Sequence, residues 1–474
     1  MKRLSVDQKS KQKLLNKKAL FVVNTSTYFS GLYEVAKFLK QNRKYNPIFY
    51  FSGDNLAYPT ANKDISILNH EKILVIHKLK LPVSSNDSFL PAFTFILIKL
   101  LKLFSNRLYM TFLSYRNNLI SVNNLIEKYK PKIIILAADN VNYDTAIFVK
   151  ISHTKNIPVV VIPQWMAGPR EPAEYLLHDS RYSTDRISNY LVGKLYPKWV
   201  YTHNSKQLIR LSVDQVLAKE WFGLAPSSPW VLHSGDADAI ALESEFLYRY
   251  CKKEKLEENR LYLTGSIADD TLFEHLQNIE ERRKKYNYKY SLNKKKPILL
   301  VAFPYDELDE AGRRAECEFK TYDKLVFFLL NNLKKVINYN LLISMHPSVP
   351  SEYKVQLRRK WKIKIIDENI INLIPLCDIF IASISSTIQW AIVCGKPVIN
   401  YDVYRYRYHD YDSAKGVITI ERKNDFLKYL RKVTQDNEFY NEMVNLQKSN
   451  MKDWGILDGK SGERILHLLE KLTK

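Results

Sequence analysis

Residues 379–402 read IFIASISSTIQWAIVCGKPVINYD. An apolar run empties into Ser383, Ser385, Ser386 and Thr387, four hydroxyl residues in five positions. An apolar segment with helical spacing follows, Gly395 closes it, and Pro397 restarts the chain into a second apolar run. A short buried strand, a turn, a helix and another short buried strand make up a βαβ unit, which implies a parallel sheet covered on both faces.

The same rhythm extends in both directions. PILLVAFP (297–304), NLLISMHPS (340–348), KIKIID (362–367), DIFIAS (378–383), KPVINY (396–401) and GVITI (416–420) read as strands. YDKLVFFLLNNLKKVI, IQWAIVCG and DFLKYLRKVT read as the helices between them. Nearer the N-terminus, ALFVV (19–23), NPIFYFS, ILVIH (73–77), KIIILAADN (132–140) and IPVVVIP (157–163) repeat the pattern. PWVLHSG and RLYLTGS (260–266) resume it after a polar, aromatic stretch at 164–229 that reads as an insertion. RRKKYNYKYSLNKKK (282–296) is basic, lacks periodicity and reads as a linker or loop.

The expected fold is therefore α/β: two doubly wound, Rossmann-like domains facing a central cleft. The expected limits are 1–262 for the first domain, with the insertion at about 164–229, 263–450 for the second, and 451–474 for a C-terminal helix packing back on the first. No internal period marks a solenoid. The cysteines Cys251, Cys317, Cys377 and Cys394 form no CxxC pair, which argues against a disulfide framework or a structural zinc site.

Lys and Arg total 72 against 50 acidic residues, a formal net charge of +22. Such a surface favours anionic partners. The N-terminal MKRLSVDQKSKQKLLNKK has seven basic residues, one acid and no apolar core, so it is a basic arm rather than a secretory signal. FLPAFTFILIKLLKLFSNRLYMTFLSYR (89–116) is apolar but interrupted by Lys99, Lys102 and Arg107. It reads as an amphipathic helix, either in the core or against an anionic inner membrane surface, and not as a membrane span. The spread of the basic residues, with no helix-turn-helix, RNP, KH or zinc pattern, makes nucleic acid an unlikely partner.

The hydroxyl cluster stands beyond the carboxyl end of a strand, where a helix begins and unpaired N–H groups favour an anion. A helix cap accounts for one or two of Ser383, Ser385, Ser386 and Thr387; phosphate contact accounts for all of them. His346 ends another strand and is placed to donate to a phosphate or ribose. Thr264, Gly265 and Ser266 stand at a third strand-to-helix junction. Together they outline a nucleotide-diphosphate pocket, although no GxGxxG or Walker motif is present.

TGS, HPS and CDIFIASISSTIQWAIVCGKPVINYD together resemble the GT-B glycosyltransferases that build bacterial capsule, lipopolysaccharide and related surface polysaccharides. Non-hydrolysing UDP-N-acetylglucosamine 2-epimerases share that fold. This chain departs from their pattern at VVNTSTYFSGL, VIPQWMAGPRE and FPYDELDEAGRRAE, and has Gln389 and Trp390 where a ribose-binding Glu is expected. His-Pro followed by a Ser/Thr-rich loop is also similar to CMP-sugar and CDP-glycerol transferases. The resemblance implies a glycosyltransferase using a nucleotide-sugar donor of UDP or CMP type, with a glycan or lipid-linked acceptor. No Asp-x-Asp motif stands at a strand end, so no obligatory metal is expected, and no cofactor beyond the donor. The alternatives are an epimerase-like enzyme, a CDP-glycerol-type phosphotransferase, a basic nucleic-acid-binding protein and a non-catalytic scaffold.

An inverting transferase needs a base for the acceptor hydroxyl. Asp139 at a strand end, Asp144 at the next helix start and Glu171 beyond the neighbouring strand are the candidates. For Asp144 the alternative is an acid complementing a helix dipole. Tyr401 and Asp402 follow the GKP strand and are candidates for donor-sugar contact. RISNYLVGKLYPKWVYTHNSKQLIRL (186–211) is basic and aromatic-rich, suited either to a lipid phosphate or anionic glycan or to inward packing of its rings.

Overall fold

The computed structural model describes residues 17–52, 61–77, 98–102, 105–139, 141–142, 144–164, 169–309, 316–346 and 349–474. The chain divides into two compact units. The first comprises 1–242, 251–262 and 463–474, and the second 243–250 and 263–462.

In the first unit the strands are β1 (Lys18–Val23), β2 (Asn46–Phe51), β3 (Leu74–His77), β4 (Ile133–Leu136), β5 (Val159–Val161), β6 (Val200–His203), β7 (Lys206–Ile209), β8 (Ala239–Leu242) and β9 (Leu261–Leu263). Seven of them form a sheet in the order β3-β2-β1-β4-β5-β8-β9. The runs IIIL of β4 and VVV of β5 are buried at every position, as strands covered on both faces must be. The C-terminal helix Ser461–Leu472 contributes to this unit. Tyr45 hydrogen-bonds Thr473 at 2.9 Å, and Lys44 pairs with Glu470 at 2.9 Å.

The expected insertion folds locally. It carries the helices Arg170–Leu176, Ile187–Leu195 and Val213–Trp221 and the antiparallel hairpin β6-β7. Trp199 is fully buried and donates to Glu220 at 2.6 Å, while Trp230 donates to the Trp199 carbonyl. These rings pack inward.

The second unit holds β10 (Ile298–Phe303), β11 (Asn340–Met345), β12 (Lys364–Ile366), β13 (Ile379–Ala382), β14 (Val398–Tyr401) and β15 (Val417–Ile420). Their order is β12-β11-β10-β13-β14-β15, every neighbouring pair parallel. The chain walks outward from β10 to β12 and returns to β13 on the other side of β10. That reversal creates a topological switch point between β10 and β13, where ligands of open α/β sheets bind.

Three expectations are corrected. The first half of the basic stretch 282–296 is not a linker or loop, because the helix Ile279–Lys289 runs through it, with Tyr286 buried and hydrogen-bonded to Glu368; only 290–296 form a loop. PWVLHSG is a loop, and the strand is the later AIAL of β8. The segment 89–116 is not one helix: Ser105 caps a helix that starts at Asn106 and runs to Tyr129, while 89–97 lie outside the described residues. The N-terminal basic arm through 16 also lies outside them. Among the described residues no helix is long and apolar enough to cross a membrane.

Candidate functional site

The switch point of the second unit gathers the residues that follow β10, β11 and β13. After β13 the chain turns through Ser383 and Ile384 into the helix Thr387–Val393. Ile384 adopts φ 43°, a left-handed conformation that costs a β-branched residue about 1–2 kcal/mol. The turn is held from three sides. The Ile384 N–H donates to Oδ1 of Asn400 at 2.9 Å, and Asn400 is oriented by donating to Thr419. The Tyr411 hydroxyl donates to the Ser385 carbonyl at 2.9 Å. Ser385 Oγ accepts from the Thr387 N–H and pairs with the Thr387 hydroxyl at 2.8 Å.

Ser386 is exposed, and neither it nor Ser383 makes a side-chain hydrogen bond among the described residues. Since the helix has only seven residues, its dipole is small and the hydroxyls are the principal donors at this turn. Gly395 closes the helix at φ 67°.

His346 follows β11 and stacks on Tyr305, which follows β10, with ring centroids 4.4 Å apart. Burial, reinforced by Lys354, holds its pKa below the ordinary histidine value, so it is neutral near pH 7. A flat aromatic pair thus stands on one side of the switch point, with the hydroxyl turn on the other.

Beside the turn is a cavity of about 210 Å³ lined by Ile384, Asn400, Asp402, Arg407, His409 and Asp410, among others. Its outer wall is the loop that leaves β14. Asp402 is buried and accepts the N–H groups of Tyr406 and Arg407 at 2.9 and 2.8 Å, which folds that loop back. Arg407 pairs with Glu421 and Glu316, and His409 with Asp412. Burial raises the Asp410 pKa to about 6.

Two expectations for this region need correcting. Tyr401 is no donor-sugar residue: it lies in the core, 3% exposed, its ring 4.9 Å from that of Phe426. Strand alternation sends Ile399 and Tyr401 to that core and turns Asn400 toward the hydroxyl turn. The Thr264-Gly265-Ser266 junction has a structural role. Ser266 caps the helix Ile267–Gln277 by accepting from the Asp269 N–H, Thr264 donates to the Gly265 carbonyl, and Gly265 sits at φ 75°.

Next to that cap stand two acids, Asp269 buried and Glu243 half-buried. Asp269 accepts the Ile456 N–H at 3.0 Å, and burial aided by Glu243 raises its pKa to about 8. Burial raises Glu243 to about 7. Gln389, in the position where an epimerase-like Glu was expected, donates to the Trp454 carbonyl at 2.9 Å and so belongs to the packing.

In the first unit, Asp139 lies beyond β4, next to that sheet's own switch point between β1 and β4. It is 6% exposed, and burial raises its pKa to about 6. The structure places His233 against it, the ring Nδ1 accepting the Asp139 N–H at 3.4 Å. His233 gave no signal in the sequence, being a single histidine in a stretch that reads as a strand. Asp144 precedes the helix Thr145–His153 without capping it and accepts from Asn118 at 3.0 Å. Glu171 lies in the first turn of the helix Arg170–Leu176, part-exposed, whereas its neighbour Glu174 is buried and paired with His203 at 2.7 Å. Among the described residues no group of three or more His, Cys, Asp or Glu is arranged to hold a metal ion.

Residues 255–471 match the model of the CDP-Glycerol:Poly(glycerophosphate) glycerophosphotransferase family. No curated protein matches the chain. Solved structures resemble it along nearly its whole length. The UDP-GlcNAc 2-epimerase from Neisseria meningitidis, bound to UDP-GlcNAc, aligns with a TM-score of 0.51 at 14% identity, covering 96% of this chain and 100% of that one. The wall teichoic acid polymerase TagF, soaked with CDPG, aligns with a TM-score of 0.52 at 12% identity, covering 97% and 89%. At these identities the likeness establishes the fold, which is the GT-B arrangement of two Rossmann-like domains. The expectation of a transferase acting on a nucleotide-activated donor agrees with the family matched by 255–471.

Proposed function

We propose that this chain, of GT-B fold and with a glycerophosphotransferase-type region at 255–471, moves the activated group of a nucleotide-linked donor to a hydroxyl on a surface glycan or lipid-linked acceptor. Within that class the family match favours a CDP-polyol donor, with a polyol phosphate as the group transferred and CMP as the leaving nucleotide. The observation that carries this reading is the strained hydroxyl turn at Ser383–Thr387, facing the His346–Tyr305 stack across the switch point. Hydroxyls and N–H groups held in place before the donor arrives stabilise charge developing on its phosphates.

In the favoured reaction the acceptor oxygen forms a bond to the outer phosphorus of the diphosphate. The bond from that phosphorus to the bridging oxygen breaks, and CMP leaves with the electron pair. The acceptor proton goes to a base, and Asp139, buried with a pKa of about 6, has the required chemistry. A nucleotide sugar is the second reading, supported by the polar cavity of about 210 Å³ beside the turn, which suits a sugar ring. There the acceptor attacks the anomeric carbon and the whole nucleotide leaves, UDP from a UDP-sugar or CMP from a CMP-sugar. No metal is required in either case.

Incubating the purified protein with CDP-glycerol, and separately with UDP- and CMP-sugars, in the presence of a glycan or polyol-phosphate acceptor distinguishes these readings. CMP released from CDP-glycerol supports the first, and UDP released from a UDP-sugar supports the second. CMP released from a CMP-sugar also marks sugar transfer, because the donor identifies the bond broken. No acceptor-dependent release from any donor sinks both.

The acceptor's setting follows from the insertion. On the helix Ile187–Leu195, Ile187, Tyr190, Leu191 and Leu195 are 78, 47, 60 and 64% exposed and share one face. The surrounding 186–211 has five Lys or Arg and no acid. An apolar stripe in a cationic setting supports peripheral binding at an anionic membrane, on the inner face of the cytoplasmic membrane where nucleotide donors are made.

A further inference from the structure

The strands β10, β11 and β12 step in one direction across the second sheet. Right-handed crossovers between them therefore place the helices Tyr322–Leu333 and Ser351–Trp361 on one face. Leu325, Leu329 and Leu333 of the first helix and Leu357 of the second enter the same core. Over that core the two helices leave a groove of about 730 Å³, which shares no residue with the cavity beside the hydroxyl turn. Tyr353, Gln356, Leu357, Lys360 and Trp361 line one wall, spaced by three and four as one helix face requires. Phe327 stands in the other wall, and Lys423, the first residue of the helix Lys423–Gln435, completes the lining.

The floor is apolar, with Phe319, Val326 and Leu357 all buried. Phe327 is 58% exposed, its ring centroid 5.5 Å from that of Trp361 and the two planes at 66°. A single exposed Phe is ordinary, but an exposed ring set edge-on to a tryptophan inside a groove offers an apolar platform. The charges around it are mixed. Lys324, Lys360 and Lys423 are exposed and make no ion pair among the described residues. Glu318 accepts the Lys423 backbone N–H at 2.7 Å, and Asp323 accepts from the Tyr353 hydroxyl at 3.4 Å.

Each feature selects a ligand chemistry. Ammonium groups without a carboxylate partner attract an anion. Carboxylates only accept, so Glu318 and Asp323 take hydroxyl protons and repel a chain that carries a phosphate on every unit. An aromatic platform packs on the apolar face of a sugar ring, which a plain polyol phosphate lacks. The volume lies within the range of about 300–1,000 Å³ typical of ligand sites, room for a short run of sugar rings.

We propose that this groove, apart from the donor turn, holds an anionic glycan chain built of sugar rings. Its ring faces pack on Phe327 and Trp361, its hydroxyls donate to Glu318 and Asp323, and its anionic groups pair with Lys324, Lys360 and Lys423. The groove stands on the second unit alone, while its use, keeping a growing glycan bound between transfers, rests on the reading above. A chain tethered there meets the next donor at a high effective concentration.

The test is calorimetric titration of the full chain with a hyaluronate oligosaccharide, which has both rings and charge. Dextran supplies neutral rings, polyglutamate and inorganic polyphosphate supply charge without rings, and oligouridylate RNA supplies a phosphate on every unit. Expected are saturable binding of hyaluronate and weaker binding of the other four. Phe327→Leu, which keeps an apolar side chain but removes the ring, weakens hyaluronate about fivefold and leaves polyphosphate unchanged. Lys324→Gln/Lys360→Gln weakens hyaluronate about tenfold and flattens its dependence on salt. Ile337→Ser removes an exposed apolar side chain outside the groove and changes nothing. Thermal melts identify variants that fail to fold, and the wild-type titrations do not depend on them. No saturable hyaluronate binding by the wild type, or equal binding by folded Phe327→Leu, overturns the proposal. So does polyglutamate, polyphosphate or RNA bound as tightly as hyaluronate. CDP is titrated separately: its failure to bind while hyaluronate binds counts against the proposed function alone, and CDP binding without hyaluronate binding counts against the groove alone.

Discussion

The side-chain oxygen of Asn400 accepts the N–H of Ile384 at 2.9 Å, tying the end of one strand to the left-handed residue of the turn beside it. The turn's shape therefore depends on a residue 16 positions away in sequence. Without that bond a β-branched residue at φ 43° loses the contact that holds its N–H in place.

Asn400→Ala is accordingly expected to weaken nucleotide binding about 5–30-fold, matching the loss of roughly 1–2 kcal/mol from a hydrogen bond that orders the turn. Ser385→Ala/Ser386→Ala is expected to lose more, because it removes the donors themselves. Calorimetric titration with CDP reads both. Unchanged affinity in Asn400→Ala would show that the turn needs no such support.

Asp139 sets a pH dependence if it is the base. Its pKa is raised to about 6, so turnover should rise with pH through about 6 as the carboxylate ionises and level off above about 7. Asp139→Asn should lower the rate by about 10²–10⁴ and remove that limb of the profile. A variant that keeps the limb would move the role elsewhere.

Asp269 and Glu243 together predict a stability profile of a particular sign. Both pKa values are raised, to about 8 and about 7, so both groups stay protonated in the fold at pH values where the unfolded chain has ionised. Stability is then greatest below the ordinary carboxylate range and falls as pH rises toward about 8. The melting temperature should drop between about pH 5 and 8, by roughly 2–4 °C per kcal/mol. Asp269→Asn should flatten the curve while retaining the acceptor for the Ile456 N–H. A melting temperature that rises with pH over this range would contradict the assignment.

The exposed stripe on the helix Ile187–Leu195 makes a prediction about membranes. Leu191→Glu/Leu195→Glu should abolish sedimentation with vesicles containing anionic phosphatidylglycerol and leave the melting temperature within about 1 °C. Both residues are more than half exposed and contribute little to the core. Binding to neutral phosphatidylcholine vesicles should be weak for both proteins. Sedimentation of the variant equal to that of the wild type would exclude this helix as the anchor.

Metal dependence is the simplest check. Transfer should survive EDTA with no more than a roughly twofold loss, because donors at the turn perform the charge stabilisation a metal would otherwise supply. Loss of turnover that magnesium restores would refute that.

Much of this protein could be read locally. The runs ILLVAF, LLISM, IFIA and VINY are strands in the structure because short, mainly apolar runs between breakers are buried in a parallel sheet. The hydroxyl turn and His346 follow from the same logic, since the residues after a strand project at the sheet's carboxyl edge. Local pattern misled where packing rather than composition fixed the outcome. Residues 282–289 look like a linker but are helical, because Tyr286 and Tyr290 anchor them on Glu368.

Short-range periodicity and residue type set the class of the sheets, their strands, and the turn in which hydroxyls meet a helix start. Tertiary structure alone decided which side chains serve those places. Strand alternation gave Asn400 the position expected of Tyr401. Chain return brought His233 to Asp139 from 94 residues away. Hydrogen bonds and charges act over a few ångströms of space without regard to distance along the chain, so no local pattern records these partnerships.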